Sequence, residues 1–187
     1  MIQLGGESER TNIGCLVSAE YGLELPHDLQ IEFAGIVRGY TGADESEITA
    51  NKIRAIFDRE YMIRTPTVAL LLRCAAGRGV WWLGVAGFRL RRDELIRRVN
   101  YDLATSCADR LRAMGISVRI LDTQCTLITG SRQVAVCVRC EAGAPAWGVG
   151  IAHDMVTASR RAVLSAVSRS QQLAHQEAYH EPECEPG

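Results

Sequence analysis

Chemistry in this 187-residue chain would have to come from a few places. His153 and Asp154 stand where a strand-like run hands over to a helical one, a position from which a titratable pair could give and take protons. Asp154 is more simply a helix cap there, and His153 a loop residue. Cys137-Val-Arg-Cys140 has Cys-x-x-Cys spacing, but a zinc knuckle needs a second pair and a turn that aims both thiolates inward. Residues three apart on a strand point to opposite faces, so this pair is expected to serve the core. His175, His180 and Cys184 could reach a metal only from an irregular tail, and no metal site is expected. Gly148-Val-Gly150 ahead of a helix could bring amides to an anion. The third glycine of a dinucleotide fingerprint is missing, and close approach of a packed backbone is the expected use of the two that are present. Arg89, Arg91, Arg92, Arg97 and Arg98 cluster near the start of a long helix, where they could hold an anionic ligand or partner or simply solvate a helix face. The sequence has no Gly-x-Ser-x-Gly elbow, no Walker loop and no His-Glu-x-x-His.

The elements that must position these residues follow from periodicity. Residues 1–24 read as a strand or connector broken by glycines. Leu29, Ile31, Phe33, Ile36 and Val37 predict a short helix after Pro26 that ends at Gly39 or Gly42, and Ile53, Ile56, Phe57 and Tyr61 predict a second one capped by Thr49. Segments 67–74 and 79–85 read as a hairpin. Asp93 is expected to cap a long helix running to Met114, with Gly115 as its stop. Strands are predicted at 117–128, 132–141 and 146–152, then a helix at 156–175 whose small apolar face suggests close packing. The order gives an α+β fold of two related sheet-plus-helix units, with a faint echo between Trp82-Leu-Gly-Val85 and Trp147-Gly-Val149. A two-helix linker is expected at 25–64, an α+β domain at 65–176 and a disordered tail at 177–187.

Composition narrows the class. Hydrophobic residues at 47% and charged residues at 23% are globular averages. A net charge of -1 and 6% aromatics give a phosphate backbone no electrostatic footprint and bases few stacking platforms, so no nucleic acid partner is expected. Lys52 is the only lysine among the cationic residues. No apolar run approaches the roughly 20 residues that cross a bilayer, and the opening residues lack the pattern of a signal peptide, so no membrane and a cytoplasmic location are expected. Seven scattered cysteines, an odd number, read as reduced thiols.

Two stretches carry a resemblance. Tyr21-Gly-Leu-Glu-Leu-Pro-His-Asp-Leu-Gln-Ile-Glu-Phe33, followed by Glu47-Ile-Thr49 and Phe57-Asp-Arg-Glu-Tyr61, resembles the linker subdomain of 2-isopropylmalate synthase. Trp147-Gly-Val-Gly-Ile-Ala152, running into Val156-Thr-Ala-Ser159 and Ala162-Val-Leu-Ser-Ala-Val167, resembles the end of that enzyme's leucine-binding, dimer-forming regulatory domain. The likeness spans roughly residues 8 to 170. It implies paired strand-strand-strand-helix units that form a homodimer and hold a small effector between them. It also implies that the family's catalytic barrel, with its divalent-metal ligands, is missing from this sequence, so Claisen condensation is not expected from these residues alone and no cofactor is implied.

The family's effector loops are rewritten. Its Gly-x-Gly-Asn-Gly-Pro loop corresponds to Gly84-Val-Ala-Gly-Phe88, its Leu-Asp-Tyr-x-Glu-His stretch to Leu121-Asp-Thr-Gln-Cys-Thr126, and the linker's Ser-Gly-Lys-Gly to Ser8-Glu-Arg-Thr11. The resemblance implies a ligand site lined by Gly84, Gly87, Leu121, Thr123, Ala135 and Ile151. The expected function is a free-standing regulatory-domain-like protein that binds a small, partly apolar molecule, as a sensor or as the partner of a separate catalytic subunit. The alternative is a small cyclase- or isomerase-type enzyme using the former effector pocket, with His153, Asp154, Asp122, Thr123 and Cys125 as catalytic candidates.

Overall fold

The structure, a computed structural model, describes residues 14, 16–17, 21–41, 49–62, 92–128 and 130–180, without the side chains of 92–95 and 179–180. Helix α1 is His27–Thr41 and α2 is Ala50–Tyr61, and a long α3 covers Arg92–Ala113. Strands β1 (Arg119–Leu127), β2 (Val134–Glu141) and β3 (Pro145–Ala152) follow, and α4 (Met155–His180) completes the described chain. The fold is α+β, with the three strands in an antiparallel meander of order β1-β2-β3.

Local signals set these limits. Thr49, in extended conformation, accepts the Lys52 amide through its side chain and caps α2 as expected. α3 stops at Gly115, whose φ of 86° is one that glycine adopts without strain. The Ile116 amide reaches the Leu111 carbonyl at 2.9 Å and the Gly115 amide the Arg112 carbonyl at 2.9 Å, which satisfies the carbonyls that a helix end leaves open. The last helix departs from expectation by running through Gln176 to His180, into the segment read as a disordered tail. Its interior holds no proline or glycine to stop it. The expected hairpin at 67–74 and 79–85, and with it the first of the two sheet-plus-helix units, lies outside the described residues.

Strand alternation divides the core into two layers. Val134, Val136, Val138 and Cys140 of β2 pack with Ala158, Ala162, Val163 and Ala166 of α4 and with Ala104, Ala108 and Leu111 of α3. Ala135 and Cys137 turn the other way and join Trp147 and Val149 of β3 against Phe33, Phe57 and Tyr61 from α1 and α2. Cys137 and Cys140 thus enter opposite layers, as their spacing requires. Burial pushes both thiols up to about 12. The linker helices do not stand apart: their aromatics share one core with the sheet, Phe33 edge-on to both Phe57 and Tyr61 with centroids 5.2 and 5.8 Å apart.

α4 lies unusually close to β3. A Cβ on Gly148 would stand 2.8 Å from Ala166 Cα and nearer still to the Ala166 nitrogen and Ala162 oxygen. On Gly150 it would stand 2.6 Å from the Ala162 nitrogen. The glycines of Gly148-Val-Gly150 therefore serve helix-on-sheet contact, and with Ala158, Ala162 and Ala166 they bring two backbones together.

Candidate functional site

β1 is an edge strand among the described residues, and a groove of about 940 Å³ runs along it. Every residue from Asp122 to Leu127 lines it. Register decides which side each faces. Thr123, Cys125 and Leu127 pair with Val138, Val136 and Val134, so their side chains share the α3 and α4 side of the sheet. There Ile96 and Arg97 of α3 and Met155, the first residue of α4, form the opposite wall. Asp122, Gln124 and Thr126 turn toward the linker side, where Gln124 donates through Nε2 to the Glu24 carbonyl at 3.3 Å.

The groove is apolar at Ile96, Leu127 and Met155 and polar at Glu24, Arg97, Asp122, Thr123, Gln124, Cys125 and Thr126. A volume within the usual range of small-molecule sites, with polar groups among apolar ones, suits a ligand of modest size. Burial raises the Cys125 thiol above its ordinary value, which keeps it protonated and weakly nucleophilic at neutral pH. The Asp122 carboxylate accepts the Thr123 amide at 2.7 Å and lies across the ladder from Arg139.

The expected site residues are only partly brought together. Asp122, Thr123 and Cys125 line the groove. His153 is exposed in the turn before α4. Asp154 is the cap of α4, its Oδ1 accepting the Thr157 amide at 2.8 Å. Partial burial pushes its carboxyl up, but the Thr157 amide and hydroxyl, the Val156 amide and Arg160 outweigh that and leave it below its usual range. The ligand set inferred from the resemblance does not assemble into one surface. Ala135 and Ile151 pair with each other on the linker side, where Ala135 is buried and Ile151 packs against the aromatic layer, whereas Thr123 faces the opposite side. Leu121 sits in the irregular register between Ile120 and Asp122 and points to solvent. Gly84 and Gly87 lie outside the described residues. Of the arginines, Arg97 and Arg98 are exposed on α3, Arg92 begins that helix, and Arg89 and Arg91 are outside the described residues. His175 is exposed on α4, and Cys184 is not among the described residues.

Sequence reasoning missed the groove-lining Ile96, Leu127 and Met155, and it missed a buried arginine. Arg169 of α4 is 9% exposed and pairs with carboxylates of both linker helices, bonding Glu32 and lying 3.9 Å from Glu60. Its guanidinium stacks 4.6 Å from the centre of the Tyr61 ring, whose hydroxyl donates to Glu32 at 3.0 Å. Burial raises the Tyr61 phenol well above its ordinary value, and the Glu32 charge adds to it. An arginine between two serines in an apolar helix was the one available signal.

Comparison with known proteins decides the lineage. The chain is 31% identical over 188 residues to the 2-isopropylmalate synthase of Leifsonia xyli subsp. xyli, a match covering 91% of this chain and 31% of that enzyme. The chain is related to part of 2-isopropylmalate synthase. The enzymes of Parafrankia sp. and Kineococcus radiotolerans match at 32% and 33% identity, each over 91% of the chain and 32% of their own length. The chain therefore spans about a third of the length of the synthases it matches. No family model matches it. No helix among the described residues is long and apolar enough to cross a membrane.

Proposed function

We propose that this chain is a small-molecule-binding module of the 2-isopropylmalate synthase regulatory type, acting in leucine biosynthesis or a pathway derived from it. The carrying observation is the groove along β1, formed where the family's Leu-Asp-Tyr-x-Glu-His stretch has become Leu121-Asp-Thr-Gln-Cys-Thr126. Its mixed lining favours a small, partly apolar ligand. In this reading the module is a cytoplasmic homodimer with the ligand held near the interface. It works as a sensor or beside a separately supplied catalytic barrel. Similarity over 91% of the chain to enzymes named 2-isopropylmalate synthase supports the lineage.

Isothermal titration with leucine, other branched-chain amino acids and their 2-oxo acids tests binding, and analytical ultracentrifugation tests the dimer. Binding by an intact dimer supports the reading. A monomer, or a dimer that takes none of these, refutes it.

A second reading rests on Asp122, Thr123 and Cys125 sharing the groove: a small enzyme of cyclase or isomerase type, in which shape and placed polar groups replace a nucleophile. Mass spectrometry of the 2-oxo acids after prolonged incubation separates the two. Ligand recovered unchanged favours the sensor, and a new product favours the enzyme.

A further inference from the structure

We infer that Arg97 is the anchor for the carboxylate of a small aliphatic acid in the β1 groove. This rests on the binding role proposed for that groove. Arg97 stands on its α3 wall beside Ile96 and makes no hydrogen bond or ion pair among the described residues. Facing it on the same side of β1 are the Thr123 hydroxyl, the Cys125 thiol and the Leu127 side chain, and Met155 closes the α4 end. A guanidinium next to three aliphatic side chains matches a ligand with one anionic end and a branched hydrocarbon body.

The other charged groups of the groove do not cancel this site. Asp122 projects on the linker side of β1, holds the Thr123 amide and lies across the ladder from Arg139, and the Glu24 backbone is held on that same side, its carbonyl accepting from Gln124. Arg97 therefore supplies the cation on the α3 side, and its planar fork can take both oxygens of a carboxylate at once. Thr123 can donate to an oxygen of the same group. Arg98, the next residue on α3, is exposed but does not line the groove, because successive helical residues are turned by about a quarter of the circumference.

The test uses the full chain and two probes that differ only in charge, sodium 4-methylpentanoate and 4-methylpentanamide, titrated calorimetrically at low ionic strength. The acid is expected to bind at least fivefold tighter than the amide. Arg97→Gln should bring that ratio below twofold, Arg97→Lys should leave part of it, and Arg98→Gln should leave all of it. Arg97 is exposed, and unchanged circular dichroism of each variant verifies folding. Equal affinity for acid and amide, or an undiminished ratio in Arg97→Gln, overturns the carboxylate anchor while leaving the groove as a binding site. Binding of neither probe overturns the anchor; a groove that also rejects leucine and the branched-chain 2-oxo acids loses its proposed role as well.

Discussion

Replacing Arg169 with methionine probes the junction between α4 and the linker helices. The substitution keeps most of the apolar stem and removes the guanidinium that Glu32 and Glu60 share. Breaking a fully buried ion pair costs about 3–5 kcal/mol, chiefly because a charge is left behind without its partner. Here the two carboxylates keep 31% and 24% of their side-chain exposure, so water recovers part of that loss. Removing the stacking on Tyr61 costs about 0.5–1 kcal/mol more. A destabilisation of about 2 kcal/mol follows, equivalent to a Tm lower by about 4–8 °C for a chain of this size. Thermal unfolding followed by circular dichroism at pH 7 reads it directly. A double-mutant cycle with Glu32→Gln isolates the pair and should return a coupling of about 1 kcal/mol. A Tm change under about 1 °C, or strict additivity in the cycle, would falsify the assignment of Arg169 as the bond between module and linker.

Three further substitutions bear on the scaffold. Gly148→Ala drives a methyl into the backbone of α4 at Ala162 and Ala166, where no flexible side chain can yield, and should destabilise the fold by about 2–3 kcal/mol in urea titration. An unchanged midpoint would refute the close seating of that helix. Asp154→Ala removes the α4 cap and should cost about 1 kcal/mol, whereas Asp154→Asn should keep most of it at neutral pH; equal losses would argue for a role other than capping. Cys140 carries a thiol raised to about 12 in the fold against about 9 when unfolded, so its stabilising contribution is complete below pH 9 and disappears as pH climbs toward 12. Cys140→Val should flatten part of the alkaline loss seen in pH-dependent melting, and an unchanged slope would count against burial of that sulfur.

Helix periodicity made much of this fold legible in advance. The apolar spacing around Phe33 and Phe57 located α1 and α2, Thr49 marked the start of α2 and Gly115 the end of α3, and Gly148 and Gly150 announced a close backbone approach. Period-two reasoning placed Cys137 and Cys140 on opposite faces. Register was not available from one strand at a time. Whether Thr123 shares a face with Ala135 depends on how β1 pairs with β2, and the irregularity between Ile120 and Asp122 shifts that pairing by a residue. The ligand set drawn from the resemblance therefore mixed two surfaces. Arg169 stayed hidden for another reason: its partners Glu32 and Glu60 lie more than a hundred residues away and are ordinary surface carboxylates when read in their own helices.

The glycine seat beneath α4 has a mechanical corollary. A rod seated that tightly has no room to roll inward, and the match of Ala162 and Ala166 to Gly148 and Gly150 also fixes its position along the strand. Met155 touches the groove at one end, and Arg169 grips the two carboxylates fourteen residues on, about 21 Å away at the helical rise. One unbroken helix thus joins the groove to the carboxylate pair of the two linker helices.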